Sequence, residues 1–139
     1  MVEEAIIAYL AGLFDGEGSV SILKQYKGKH KTGGAGSWRA VRLVITNRNR
    51  DCLELAEKHF SGLIYRQEPQ NKDWSPAYRW QAHGRFAVEF LEAIRPYVVI
   101  KKPHIDAVLN NLDDKARASE LLRTFNKRGK LKGTQLPLN

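Results

Sequence analysis

With 139 residues, the chain has the length of one domain that buries about 70% of its unfolded surface. An apolar content of 42% and three Trp exclude a disordered chain, and a single cysteine, Cys52, excludes a disulfide framework and a thiolate zinc site. The 23 Lys and Arg against 15 Asp and Glu leave a net charge of +8 and a pI near 9.7, which points to a polyanionic partner, nucleic acid first.

The longest apolar runs are too short to span a bilayer, so no membrane partner is expected. Met1 is followed by acids and not by the basic start of a signal peptide, so the expected location is intracellular, in cytoplasm or an organelle matrix. Residues 4–14 have the spacing of a helix, with Ile6, Ile7, Leu10, Leu13 and Phe14 as its large apolar set. Ala5, Ala8, Ala11 and Gly12 occupy another side. Alternation from Ser19 predicts a strand to about Lys27, and "KGKHKTGGAGS" reads as a basic loop. Trp38 to Thr46 is a second strand, with Val41, Leu43 and Ile45 on one face.

Asn49 is placed to cap a helix through Leu53, Ala56 and Phe60 that stops at Gly62. Leu63 to Gln67 is a third strand, and "EPQNKDWSP" a turn-rich loop. Tyr78 to Ala82 is a fourth, with Tyr78 and Trp80 inward and Arg79 and Gln81 outward. Phe86 to Ile94 is a helix that ends near Pro96. A further helix begins near His104, breaks at "LDD" and resumes through Leu121, Leu122 and Phe125. The expected fold is α+β, an αββαββα order with one four-stranded antiparallel sheet, helices on one face and further helices at the C-terminus. Residues 1–126 form the domain, and residues 127–139 a basic, loose tail.

The outward faces of these strands carry Ser21, Gln25, Lys27, Trp38, Arg42, Tyr65, Gln67, Arg79 and Gln81. These are side chains that hydrogen-bond base edges, with cations for phosphates. Lys27, Lys29 and Lys31 of the basic loop add to that charge. A solvated sheet face would look similarly polar, so the face suggests double-stranded DNA only together with the net charge.

The segment "AYLAGLFDGEGSVSI" raises a sharper question, because Asp15 and Glu17 sit at the bottom of an apolar helix. Carboxylates are unfavourable at a helix C-terminus, where the carbonyls carry partial negative charge. Something positive should offset them, and a hard divalent cation suits carboxylates and backbone carbonyls. Solvation or capping is the plainer alternative. Residues Leu10 to Gly18, "LAGLFDGEG", resemble the motif of the LAGLIDADG homing endonucleases at six of nine positions, and the order of elements to about residue 112 is similar too.

That resemblance implies a specific chemistry. Two motif helices would pack through small residues, here Ala8, Ala11 and Gly12, with Asp15 at the same helix end. Glu17 would bind a divalent metal between the scissile phosphates, with the Gly16 carbonyl as a further ligand. One motif per chain implies a homodimer on a pseudo-palindromic DNA site, with intron RNA as partner in maturase relatives, and a non-catalytic DNA-binding regulator as another alternative. Lys101 falls where single-motif relatives carry a lysine near the reaction centre, with Lys102 its neighbour. Asn47 falls where relatives order solvent or metal, and could equally be a turn residue. Asp51 stands where some relatives have an arginine, a role open to Arg48 or Arg50. Mg²⁺ is the implied ion, with Mn²⁺ or Ca²⁺ in the same site.

Overall fold

A computed structural model describes residues 2–26 and 37–129. The element order is α1 (Glu4–Glu17), β1 (Gly18–Tyr26), β2 (Ser37–Asn47), α2 (Arg50–Phe60), β3 (Leu63–Gln67), β4 (Ala77–His83), α3 (Gly84–Ile94), α4 (Lys102–Leu109) and α5 (Lys115–Gly129). The strands form the single antiparallel sheet that was expected, and the structure sets their order as β1-β2-β4-β3. α5 runs to Gly129, and the rest of the basic tail expected from residue 127 lies outside the described residues. No helix among the described residues is long and apolar enough to cross a membrane.

Period-two alternation puts Val20, Val41, Leu43, Ile45, Trp80 and Ala82 on the covered face of the sheet. Helices supply Leu10, Phe14, Leu53, Phe90, Leu91, Ile94 and Ile105, all fully buried. Phe90 is the hub of the core. Its ring stacks edge-on against Phe14 at 5.8 Å and Phe60 at 5.1 Å, and lies 4.9 Å from Trp80. The Trp80 indole donates to Ser61 O at 2.8 Å, where the chain turns out of α2. That turn brings backbone against the indole. A Cβ at Gly62 would lie 2.6 Å from Trp80 Nε1, and φ there is +88°, so both space and conformation demand glycine.

α2 begins as predicted, with the Asn49 side chain accepting from Cys52 N at 3.3 Å. α1 does not end at Phe14 as expected but runs one turn further, to Glu17, and β1 follows at once. Gly18 makes that junction possible. Its N–H bonds Phe14 O, and any Cβ there would collide with the Phe14 ring. The consequence is that Asp15, Gly16 and Glu17 form the last helical turn, at the end of the sheet where β1 starts.

Candidate active site

The acids of that last turn have different surroundings. Asp15 accepts three backbone hydrogen bonds from one segment, Val99 N at 2.6 Å and Ile100 N at 3.2 Å on one oxygen, Lys101 N at 2.9 Å on the other. Partial burial works against its charge, but these donors and the Lys101 ammonium outweigh it and hold the carboxyl below its ordinary value. The positive partner of Asp15 is therefore this chain's own backbone. Asp15 pins the segment before α4 to the end of α1, and Lys101 is delivered there as the residue that opens α4. Lys101 is half-buried and Lys102 exposed. Lys101 also faces His104, whose imidazole is held below its usual value by burial and by that charge.

Glu17 is exposed, as is Gly16, where an added Cβ would meet nothing within 4 Å. Glu17 lines a cleft of about 370 Å³ with Thr46, Asn47, Arg48 and Ala77. Asn47 is in the cleft wall and also makes a turn, its Oδ1 accepting from Asn49 N at 2.8 Å. Arg48, not Arg50, is the cation in this cleft. Arg50 bonds Glu54 at 2.9 Å and lies 5.5 Å over the Tyr78 ring. Asp51 faces the adjoining hollow, beside Tyr9, Leu13 and Cys52.

The donors Glu17 and the Gly16 carbonyl are hard oxygens at a helix end whose last carbonyls lack in-helix partners, which suits a hard divalent cation. Yet no group of three metal-ligating side chains exists among the described residues. Among the described residues, then, the helix end offers one carboxylate and backbone carbonyls, short of a full coordination shell.

A second copy has a surface to use. Ala5, Ala8, Tyr9, Gly12 and Gly16 are exposed along α1, and a Cβ at Gly12 would meet nothing within 4 Å. Ala11 does not belong to this stripe: it is fully buried in the protomer's own core. At 100° per residue it turns with Leu10 and Phe14 towards the sheet, while Ala5, Ala8 and Gly12 stay together on the other side. Asp15 is half-buried and occupied by residues 99–101 of its own chain, so its role in an interface is indirect.

The uncovered sheet face carries the predicted polar set in cross-strand rows. Ser21 pairs Arg42, whose Nε donates to Ser21 Oγ at 3.3 Å, and Arg42 pairs His83. Thr46, Arg79 and Tyr65 form another row, and Gln67 pairs Ala77. Val44, Gln81 and Leu63 form the row between. Arg79 Nε is buried without a hydrogen-bond partner among the described residues. Gln25 and Trp38 pair in register, but their side chains lie outside the described residues, as do Lys27, Lys29 and Lys31. His83 was not anticipated, because β4 was expected to stop at Ala82. Its parity with Arg79 and Gln81 is the signal that finds it.

None of the curated proteins matches the sequence. Among solved structures, the homing endonuclease I-CvuI in complex with a DNA target shares 15% identity, covering 96% of this chain and 87% of its own, with a TM-score of 0.67. The archaeal intron-encoded homing endonuclease I-Vdi141I, complexed with DNA, shares 18% over 96% and 89%, at 0.63. The homing endonuclease I-TnaI shares 19% over 88% and 81%, at 0.56. These likenesses establish the fold. The sequence profile described as LAGLIDADG endonuclease matches residues 10–106, well over half the chain, and with the motif helix, the sheet order and the exposed acid in place, this chain belongs to that family.

Proposed function

We propose that the chain is a site-specific DNA endonuclease, a homodimer that hydrolyses both strands of a long pseudo-palindromic site with the help of a divalent metal. The observation that carries this is the last turn of α1. There Glu17 stands exposed where the helix's exposed small-residue stripe ends, so two helices meeting along that stripe bring two Glu17 carboxylates together. The relatives crystallised on DNA, I-CvuI in the presence of Mg and again of Ca, and I-Vdi141I, support the reading.

In this reading Glu17 and the Gly16 carbonyl from each protomer would hold Mg²⁺, which would supply water activation and offset charge on the phosphate. The chain's own residues do the rest. Asp15 fixes the 99–101 segment so that Lys101 presents its ammonium beside the helix end, where it stabilises added charge on the scissile phosphate. Arg48 faces the same cleft as Glu17 and offsets the charge that the phosphates bring to it. Asn47 orients solvent from the cleft wall. The outward rows of the sheet, Ser21, Arg42, Tyr65, Gln67, Arg79 and Gln81, meet the major groove, which admits a β-ribbon. The basic loop Lys27 to Lys31 meets phosphates.

The test takes a site selected from random duplexes by the protein, placed in a plasmid and incubated with Mg²⁺. The expected result is a double-strand break at that site, abolished by chelation. A protein that binds its selected site but never cuts, while an intron RNA splices only in its presence, is a maturase and overturns the proposal.

A further inference from the structure

Gln81 has unusual neighbours for a polar side chain on a basic sheet face. Its cross-strand partners are Val44 on β2 and Leu63 on β3, both pointing the same way, and Leu63 is 60% exposed. An open notch of about 400 Å³ lies along Leu63, Tyr65, Phe86 and the pair Gln81–His83. Gln81 Nε2 lies 3.0 Å from His83 Nε2. With the amide nitrogen as donor, the accepting partner is Nε2 of a neutral imidazole protonated on Nδ1. Partial desolvation, and then the charges of Arg42 from β2 and Arg79 from its own strand, hold the imidazole below its usual value and favour this state. Tyr65 is the titratable group that β3 adds to the notch among the described residues, and on α3 the Arg85 guanidinium lies 5.1 Å over Phe86 and 3.8 Å from Glu89.

With one N–H of the amide spent on His83, Gln81 presents one donor and one acceptor away from the sheet. That is the complement of adenine's N7 acceptor and N6 donor in the major groove. The apolar surface beside it suits the C5-methyl group of thymine, the one apolar group on a base edge there. We infer that Gln81, oriented by His83 and flanked by Leu63, reads an A·T base pair within each half-site, the amide on adenine and Leu63 on the thymine methyl. The inference rests on the DNA-binding reading above, and His83 is in it a positioning residue.

The experiment is a binding-site selection with the full chain, wild type and variants, followed by affinity measurements on the selected duplex. One position of each half-site is expected to be restricted to A·T. Gln81→Ala should lower discrimination at that position alone, by roughly 5- to 150-fold. Replacing its thymine by uracil should weaken wild type about fourfold, the effect of one buried methyl, and leave Leu63→Ala unchanged. His83→Ala frees the amide to turn over, so discrimination at the same position should drop towards that of Gln81→Ala with the melting temperature held. In wild type it should also decline as pH falls towards about 5, because a protonated imidazole donates from both nitrogens and turns the amide's acceptor inward. A site in which no position responds to Gln81→Ala, or one in which the responding pair is G·C, overturns the inference and leaves the endonuclease reading standing. Discrimination unchanged in His83→Ala and flat with pH removes His83 from it. A selection that enriches no sequence overturns both.

Discussion

Replacing Asp15 by Asn tests how the site is held together. In the native protein one carboxylate oxygen takes two backbone N–H groups and the other takes the third, all from residues 99–101. Asn keeps the shape but only one acceptor oxygen. Placed on Val99 and Ile100, it turns its NH₂ against the Lys101 N–H, donor against donor. The change removes one charged hydrogen bond, of about 1.5–3 kcal/mol, and weakens two others to neutral ones, of about 0.5–1.5 kcal/mol each. Water reaches this half-buried site and screens part of that, which leaves an expected loss of about 2–3 kcal/mol. For a domain of this size the melting temperature should fall by roughly 6–15 °C. The dependence on pH has a definite sign. The folded carboxyl is held below its unfolded value, so its contribution is complete above that value and is lost as pH falls through the folded one. The gap between wild type and Asp15→Asn, measured by thermal melts, should therefore be constant near neutrality and close below about pH 4. Equal melting temperatures at pH 7, or a gap that widens in acid, would refute the pinning of residues 99–101 by Asp15.

Glu17→Gln removes a charge from an exposed position, so folding should change by no more than about 0.5 kcal/mol while cleavage in Mg²⁺ drops to background and DNA affinity holds or rises; cutting at the wild-type rate would exclude Glu17 as a metal ligand. Gly12→Leu meets open space within the protomer and should leave monomer stability intact while breaking the dimer, so light scattering that still reports dimers at low concentration would move the interface elsewhere. Gly18→Ala should cost about 1–3 kcal/mol through collision with the Phe14 ring, read as a shifted denaturation midpoint, and an unshifted midpoint would contradict the close α1–β1 junction.

Periodicity within single elements was determined by the sequence alone. The third strand, Leu63 to Gln67, lies where alternation bounded by glycine and proline put it, and the Asn49 cap follows from a local hydrogen bond three residues away. The outward set on the sheet was legible for the same reason, since residues two apart share a face whatever the strand pairs with. The nine-residue motif revealed the family because six of its positions are unchanged. What only the tertiary structure decided involves partners distant in the chain. The donors to Asp15 come from 84 to 86 residues away, and no local pattern announces them. The rotation of α1, which sends Ala11 inward and leaves Ala5 and Tyr9 outward, is set by which side of the helix meets the sheet, and a small side chain such as Ala11 fits either side. His83 joins Gln81 because β2 extends the pairing of β4 by one residue, through Arg42. Helix and strand periods are properties of neighbouring residues, but the occupant of a carboxylate's lone pairs depends on how distant segments pack.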